Sequence, residues 1–210
     1  MAESFEEFEK FISSEKGKRK FKQSVELAIN FKGIDFNKQE NRLNMNILLP
    51  HPKGKSTKLA VFANSASLMN EAKKLGIEVI NGSEIPTIAS DKLRLKSLLN
   101  YTLFAEPALM PVVAKNLGQF LGPRDMMPKP LIDSSSLPSI SSEADRRITI
   151  KSKGKYLPTV HCMVGNETMQ PKEIYENIEE VLNSIGKKLG KVHIKSVYVK
   201  LSMSKPFRLI

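Results

Sequence analysis

The residues that could do chemistry in this chain are few, and their spacing argues against catalysis. Gly54-Lys55-Ser56 has the ending of a phosphate-cradling loop. A complete loop of that kind needs a glycine five positions before Gly54, where Leu49 stands, with a strand before it and a helix after. Here the tripeptide precedes a strand, so a hinge is the better reading. The histidines are His51, His161 and His193, and no carboxylates accompany them at metal-ligand spacing. His161 adjoins Cys162. Neighbours on a strand point to opposite faces, so the pair is not poised as thiolate and base, and Cys162 reads as a small core residue. No catalytic residue, cofactor or metal is expected.

Two segments carry polar residues at strand spacing. From Phe21 to Phe31, the residues Phe21, Gln23, Val25, Leu27, Ile29 and Phe31 share one face. Lys22, Ser24, Glu26, Ala28, Asn30 and Lys32 share the other. In the last strand, expected over Val192 to Met203, Ser196, Tyr198, Lys200 and Ser202 face away from Val197, Val199, Leu201 and Met203. Small hydroxyls and mixed charges on one face suit an RNA platform: serine and glutamate bond ribose hydroxyls and base edges, and lysines position phosphates. An ordinary solvated sheet face has the same pattern, and the pattern alone leaves the two readings level.

The elements that must position these residues fall into two styles. Phe5, Phe8 and Ile12 recur at helical spacing, followed by the basic run Lys16, Lys18, Arg19, Lys20 and Lys22 and then the first strand, which Gly33 and Asp35 end. In the middle, short apolar strands (Leu59 to Ala63, Glu78 to Ile80, Tyr101 to Ala105) alternate with helices (Ser65 to Leu75, Asp91 to Leu99, Ala108 to Leu121), which predicts a parallel sheet covered on both faces. No G-x-G-x-x-G follows its first strand; that turn is Asn64-Ser65-Ala66-Ser67. A Pro- and Ser-rich stretch from Gly122 to Ser142 reads as a loop or hinge. Within GQFLGPRDMMPKP (Gly118 to Pro130), either a rigid proline turn or polyanion contacts at Arg124 and Lys129 fit. Antiparallel style then returns. Strands Arg147 to Ser152 and Thr159 to Val164 flank the turn Lys153-Gly154-Lys155, and a helix opened by Pro171 ends at Gly186.

The expected fold is therefore α+β and α/β in two domains. A discontinuous α+β domain, residues 1–56 and 147–210, has an antiparallel sheet from both chain ends. An inserted three-layer α/β domain, residues 57–146, has a mainly parallel sheet. Residues 57–146 carry 10 basic and 9 acidic side chains, whereas the remainder carries 23 and 13. Nearly all of the formal net charge of +11 thus belongs to the terminal domain, where a polyanion surface is expected. A single cysteine rules out an internal disulfide framework, and apolar runs are too short to span a bilayer. The acidic N-terminus (Glu3, Glu6, Glu7, Glu9) is unlike a secretory signal, so a cytoplasmic location without membrane contact is expected.

Three stretches resemble one family: KFKQSVELAINFKGIDF (Lys20 to Phe36), LGPRDMMPKP (Leu121 to Pro130) and KSVYVKLSMSKP (Lys195 to Pro206). They are similar, in the same order, to signatures of the universal large-subunit ribosomal protein family L-one, the protein of the mobile stalk. PKEIYENIEEVLN (Pro171 to Asn183) has the archaeal style. The resemblance implies the two-domain architecture above and a structural, non-enzymatic protein of the cytoplasmic ribosome, monomeric when free. It implies binding to a helical junction of large-subunit rRNA, a stalk that moves with deacylated tRNA leaving the exit site, and, as in many members, repression of the protein's own messenger RNA. The family's recognition positions fall on Lys20, Phe21, Ser24, Glu26, Ser196, Ser202, Met203 and Ser204; Lys151, Lys153 and Lys200 are expected to join them as RNA contacts. Where the family usually has Thr-Met-Gly, this chain has Ser202-Met203-Ser204, and Asp125 stands where glycine is usual. The alternative function is a nucleotide-dependent enzyme built on the inserted α/β domain.

Overall fold

The computed structural model describes residues 2–152 and 157–210. In chain order the elements are α1 (Ala2–Glu15), β1 (Ser24–Phe31), β2 (Asn44–Leu48), β3 (Lys58–Phe62), α2 (Ala66–Lys74), β4 (Glu78–Ile80), α3 (Ile85–Ser90), α4 (Lys92–Leu98), β5 (Tyr101–Ala105), α5 (Met110–Leu121), β6 (Lys129–Pro130), α6 (Leu137–Ala144), β7 (Arg147–Lys151), β8 (Thr159–Asn166), α7 (Pro171–Leu189), β9 (Ile194–Leu201) and β10 (Phe207–Arg208). They fall into two compact units, Met1–Lys55 with Asp145–Ile210, and Ser56–Ala144.

The first unit joins both chain ends in a four-stranded antiparallel sheet of order β10-β9-β1-β8. β1 sits in the middle because its alternation is clean: Val25, Leu27, Ile29 and Phe31 are buried on one face. Register places Val199 and Cys162 opposite Leu27, and Val197 and Val160 opposite Ile29, so the inner face is continuous across three strands. α1 and α7 cover it. Phe8 and Ile12 from α1 meet Ile174, Ile178, Val181 and Ile185 from α7 in one core. β7 does not pair with β8 as a hairpin. It pairs with β2, a strand that the sequence hides because NMNIL is short and sits between loops. The expected turn Lys153-Gly154-Lys155 lies outside the described residues.

α7 runs past Gly186, where the sequence reading ended it, and stops at Gly190 with φ 88°. At Gly186 the Lys191 side chain lies over the helix, and a Cβ there would stand 2.8 Å from its Cγ.

The second unit has a parallel sheet of order β4-β3-β5-β6. Its strands are buried on both faces, as parallel strands require. Ala60, Phe62, Leu103 and Ala105 pack with α3, α4 and α5 on one side. Leu59, Val61 and Phe104 pack with α2 and α6 on the other. The stretch from Gly122 to Ser142, expected to be a loop, supplies the edge strand β6 and most of α6, and buries Leu131 and Leu137. Pro130 is tolerated because an edge strand needs no second row of amide donors.

Candidate nucleic-acid interface

β1 begins where β9 ends, because the two strands are antiparallel neighbours. Ser24 N donates to Ser202 Oγ at 3.2 Å, and Ser202 N donates to Ser24 O at 3.1 Å. One step along, Glu26 stands opposite Lys200. Residues separated by most of the chain thus form one cluster: Lys20, Phe21, Ser24 and Glu26 from one end, and Lys200, Ser202, Met203 and Ser204 from the other.

The hub of this cluster was not legible as functional. Gln23 occupies the apolar parity of the first strand yet is polar, and its side chain is 1% exposed. Its Nε2 donates to Glu15 O at 3.4 Å and to Glu167 Oε2 at 3.3 Å. Its Oε1 accepts from Met203 N at 3.1 Å. One side chain therefore ties the end of α1, the loop after β8 and the turn after β9. A polar residue at a core parity was the signal available in the sequence.

With their backbones anchored, two large apolar side chains stay outside the core: Phe21 is 52% and Met203 59% exposed. A partner that covered either side chain would gain about 1.5–3 kcal/mol of apolar burial. Lys16, Lys18, Arg19 and Lys20, in the segment leading to Phe21, and Lys22 just after it are also exposed. Lys18 pairs with Glu15 at 2.7 Å.

Ser204 fits without strain where the resembled family has glycine. Among the described residues Asp125 is the only non-glycine at positive φ, so Ser204 has ordinary backbone. Its Oγ accepts from Leu201 N at 2.9 Å and donates to Lys205 O at 2.9 Å, closing the turn that presents Met203.

Two expected contacts are not gathered here, and a third lies outside the described residues. Ser196 lies on the same sheet face but six residues back along β9, about 20 Å away at strand rise. It is 6% exposed and accepts from Asn30 Nδ2 at 3.0 Å, while Thr159 Oγ1 donates to Asn30 Oδ1 at 2.9 Å. Lys151 belongs to the separate β2–β7 ladder, opposite Asn44. Lys153 lies outside the described residues.

The other sequence candidates resolve differently. His161 and Cys162 do face opposite ways. Cys162 is opposite Leu27 on the inner face, where burial pushes its thiol up to about 12. Arg124 is held by its own helix, 4.2 Å over the Phe120 ring and donating to Phe120 O at 2.7 Å. Among the described residues no group of three His, Cys, Asp or Glu could hold a metal ion. No helix there is long and apolar enough to cross a membrane.

In the parallel sheet, chain order reverses between β3 and β5, where such sheets take ligands beyond their strand ends. Glu106, just after β5, accepts Asn64 N at 2.8 Å, Ser65 N at 3.2 Å and the Ser65 hydroxyl. The chain's own carboxylate thus occupies the two amides that lead into α2, and its negative charge beside the helix start disfavours a phosphate there.

Residues 11–205 match the ribosomal protein L1p/L10e family. The chain belongs to this family. Like other L1-family members it is a ribosomal protein and not an enzyme. It is 43% identical over 190 residues to the large ribosomal subunit protein uL1 of Pyrococcus abyssi, covering 88% of this chain and 85% of that one. The uL1 proteins of Methanocella arvoryzae and Methanothermococcus thermolithotrophicus are 39% and 37% identical, over 96% and 91% of this chain and 95% and 90% of theirs. The L1 match spans both strand ends of the cluster, from Lys20 to Ser204.

Proposed function

We propose that this L1-family chain is a structural protein of the large ribosomal subunit in the cytoplasm and binds large-subunit rRNA through the cluster where β1 starts and β9 ends. The observation that carries the reading is the Ser24–Ser202 pair, flanked by exposed Phe21 and Met203, with five exposed basic residues, Lys16 to Lys22, around Phe21. Lysines and arginine neutralise phosphates and release counterions. Ser24, Ser202 and Glu26 offer hydroxyl and carboxylate groups to ribose hydroxyls and base edges, while Phe21 and Met203 pack on ribose or base. Lys151 and Ser196 are outlying contacts in this reading, and Lys153 is a further one. In the assembled subunit the chain forms the mobile stalk beside the tRNA exit site and assists release of deacylated tRNA. The same surface, binding a similar RNA structure, represses translation of the chain's own messenger.

The test is affinity for a transcript of the rRNA junction across a salt series. The log–log slope is expected near −0.9 per duplex phosphate contacted, and less steep on single strands. Met203→Ala is expected to weaken binding without unfolding, and Ser202→Ala to do so with a modest loss of stability from its bond to Ser24. Flat affinity across salt, or full affinity in both variants, would refute the site. The nucleotide-enzyme alternative needs a glycine loop where Asn64-Ser65-Ala66-Ser67 stands beside the Glu106 carboxylate, and calorimetry with common nucleotides is expected to show no tight binding.

A further inference from the structure

The outer face of the four-stranded sheet carries a second feature beyond the strand-end cluster. Along β1 the outward positions are Ser24, Glu26, Ala28 and Asn30, about 6.8 Å apart. Register places His161 of β8 and Tyr198 of β9 on either side of Ala28, with Arg208 of β10 beyond Tyr198. His161 is exposed and Tyr198 half-buried. Unlike Tyr175, Tyr198 takes no part in the core beneath. The central position of this row is therefore the smallest side chain on the face, between two rings.

Strands two apart are separated by about 9.6 Å, twice the interstrand spacing. Two planar side chains at that separation leave room between them for a flat ring over the alanine methyl. On one side the row is bounded by the ladder Thr159–Asn30–Ser196, whose polar groups are bonded to one another across three strands. On the other it is bounded by Glu26 opposite Lys200, a carboxylate and an ammonium at the rim. Arg208 adds a cation at the edge strand. The unit that carries this face also holds almost all the chain's excess positive charge.

We propose that His161, Ala28 and Tyr198 form a slot for one unstacked nucleobase of the bound RNA. This rests on the rRNA-binding reading and extends it from the strand ends to the middle of the sheet. Sequence-specific RNA recognition takes splayed bases on aromatic side chains and reads their edges with hydrogen-bonding groups. The Glu26 carboxylate at the rim accepts only, so it selects a base edge that donates, guanine first because its N1–H and N2–H lie side by side.

The test uses the full chain and an rRNA junction transcript. Tyr198→Ala and Ala28→Leu are each expected to weaken binding about 10- to 100-fold, the range of one lost base–aromatic stack. Tyr198→Phe keeps the ring and is expected to bind within about twofold of the parent. Both outward positions are clear of the core, so circular dichroism should be unchanged. If Tyr198→Ala and Ala28→Leu bind as the parent does while Met203→Ala does not, the slot is overturned and the rRNA reading stands. If the parent chain itself does not bind the transcript, both fall.

Discussion

Gln23 Oε1 accepts the amide proton of Met203 across a separation of 180 residues, at 3.1 Å. Through that bond a side chain beside the first strand fixes the turn that carries the most exposed apolar residue of the proposed RNA surface.

Gln23→Ala should therefore loosen the cluster as well as the fold. It removes the partner of the Met203 amide and of Glu167, whose side chain is buried. A destabilisation of about 2–3 kcal/mol in urea unfolding is expected, because groups left unsatisfied cost more than the bonds contribute net. A loss under 0.5 kcal/mol would show that Gln23 is not the tie described.

Asp125 holds a left-handed backbone, φ 57° and ψ 30°, just after α5 and its short 3-10 continuation. Aspartate tolerates this region better than alanine and worse than glycine. Asp125→Gly and Asp125→Ala both delete the carboxylate, so they differ chiefly in backbone cost. The glycine variant should be the more stable by about 1 kcal/mol in thermal or urea unfolding. Equal stabilities would remove the strain argument.

Glu106 gives a pH dependence with a defined sign. Burial works to raise its pKa, but bonds from the Ser65 hydroxyl and the Asn64 and Ser65 amides outweigh that and hold it below the usual value of 4.5. A carboxyl depressed in the folded state contributes stability above its unfolded pKa and loses it as pH falls through the folded value. Unfolding free energy should drop on acidification below about pH 4.5, and Glu106→Gln should remove part of that drop. An identical acid profile in the variant would exclude Glu106 as a contributor.

Cys162 should be inert in the native protein. Its thiol faces the core opposite Leu27, and burial pushes its pKa to about 12, so little thiolate exists at neutral pH. Labelling by a thiol reagent should be slow in buffer and complete in denaturant. Rapid native labelling would mean that β8 opens locally.

Family likeness, three of the four strands of the parallel sheet, the alternation of β1 and β9 within their observed limits, and the core position of Cys162 were readable from residue order. Each rests on a local regularity: alternation at period two, a proline before a helical stripe, or a motif kept in order. Phe21 and Met203, placed by the same alternation on the inner faces, lie beyond the strand ends and are exposed. What escaped was decided by partners far away in the chain. β2 is too short to show alternation and exists because β7 pairs with it. α3 has only six residues around Pro86, too few for a helical period. The Pro- and Ser-rich stretch looks like a loop, yet Leu131 and Leu137 are drawn into the second unit's core. Gly186 reads as a stop, but α7 runs through it to Leu189 and Gly190 ends the helix. The resemblance to the L-one family named most of the candidate interface in advance. Only the folded chain showed that Lys20 to Glu26 and Lys200 to Ser204 meet, that Ser196 stands apart from them, and that Gln23 is their common anchor. Strand pairing brings residues together by register, and register between the two ends of a chain is set by the buried face they share, a property that neither segment displays alone.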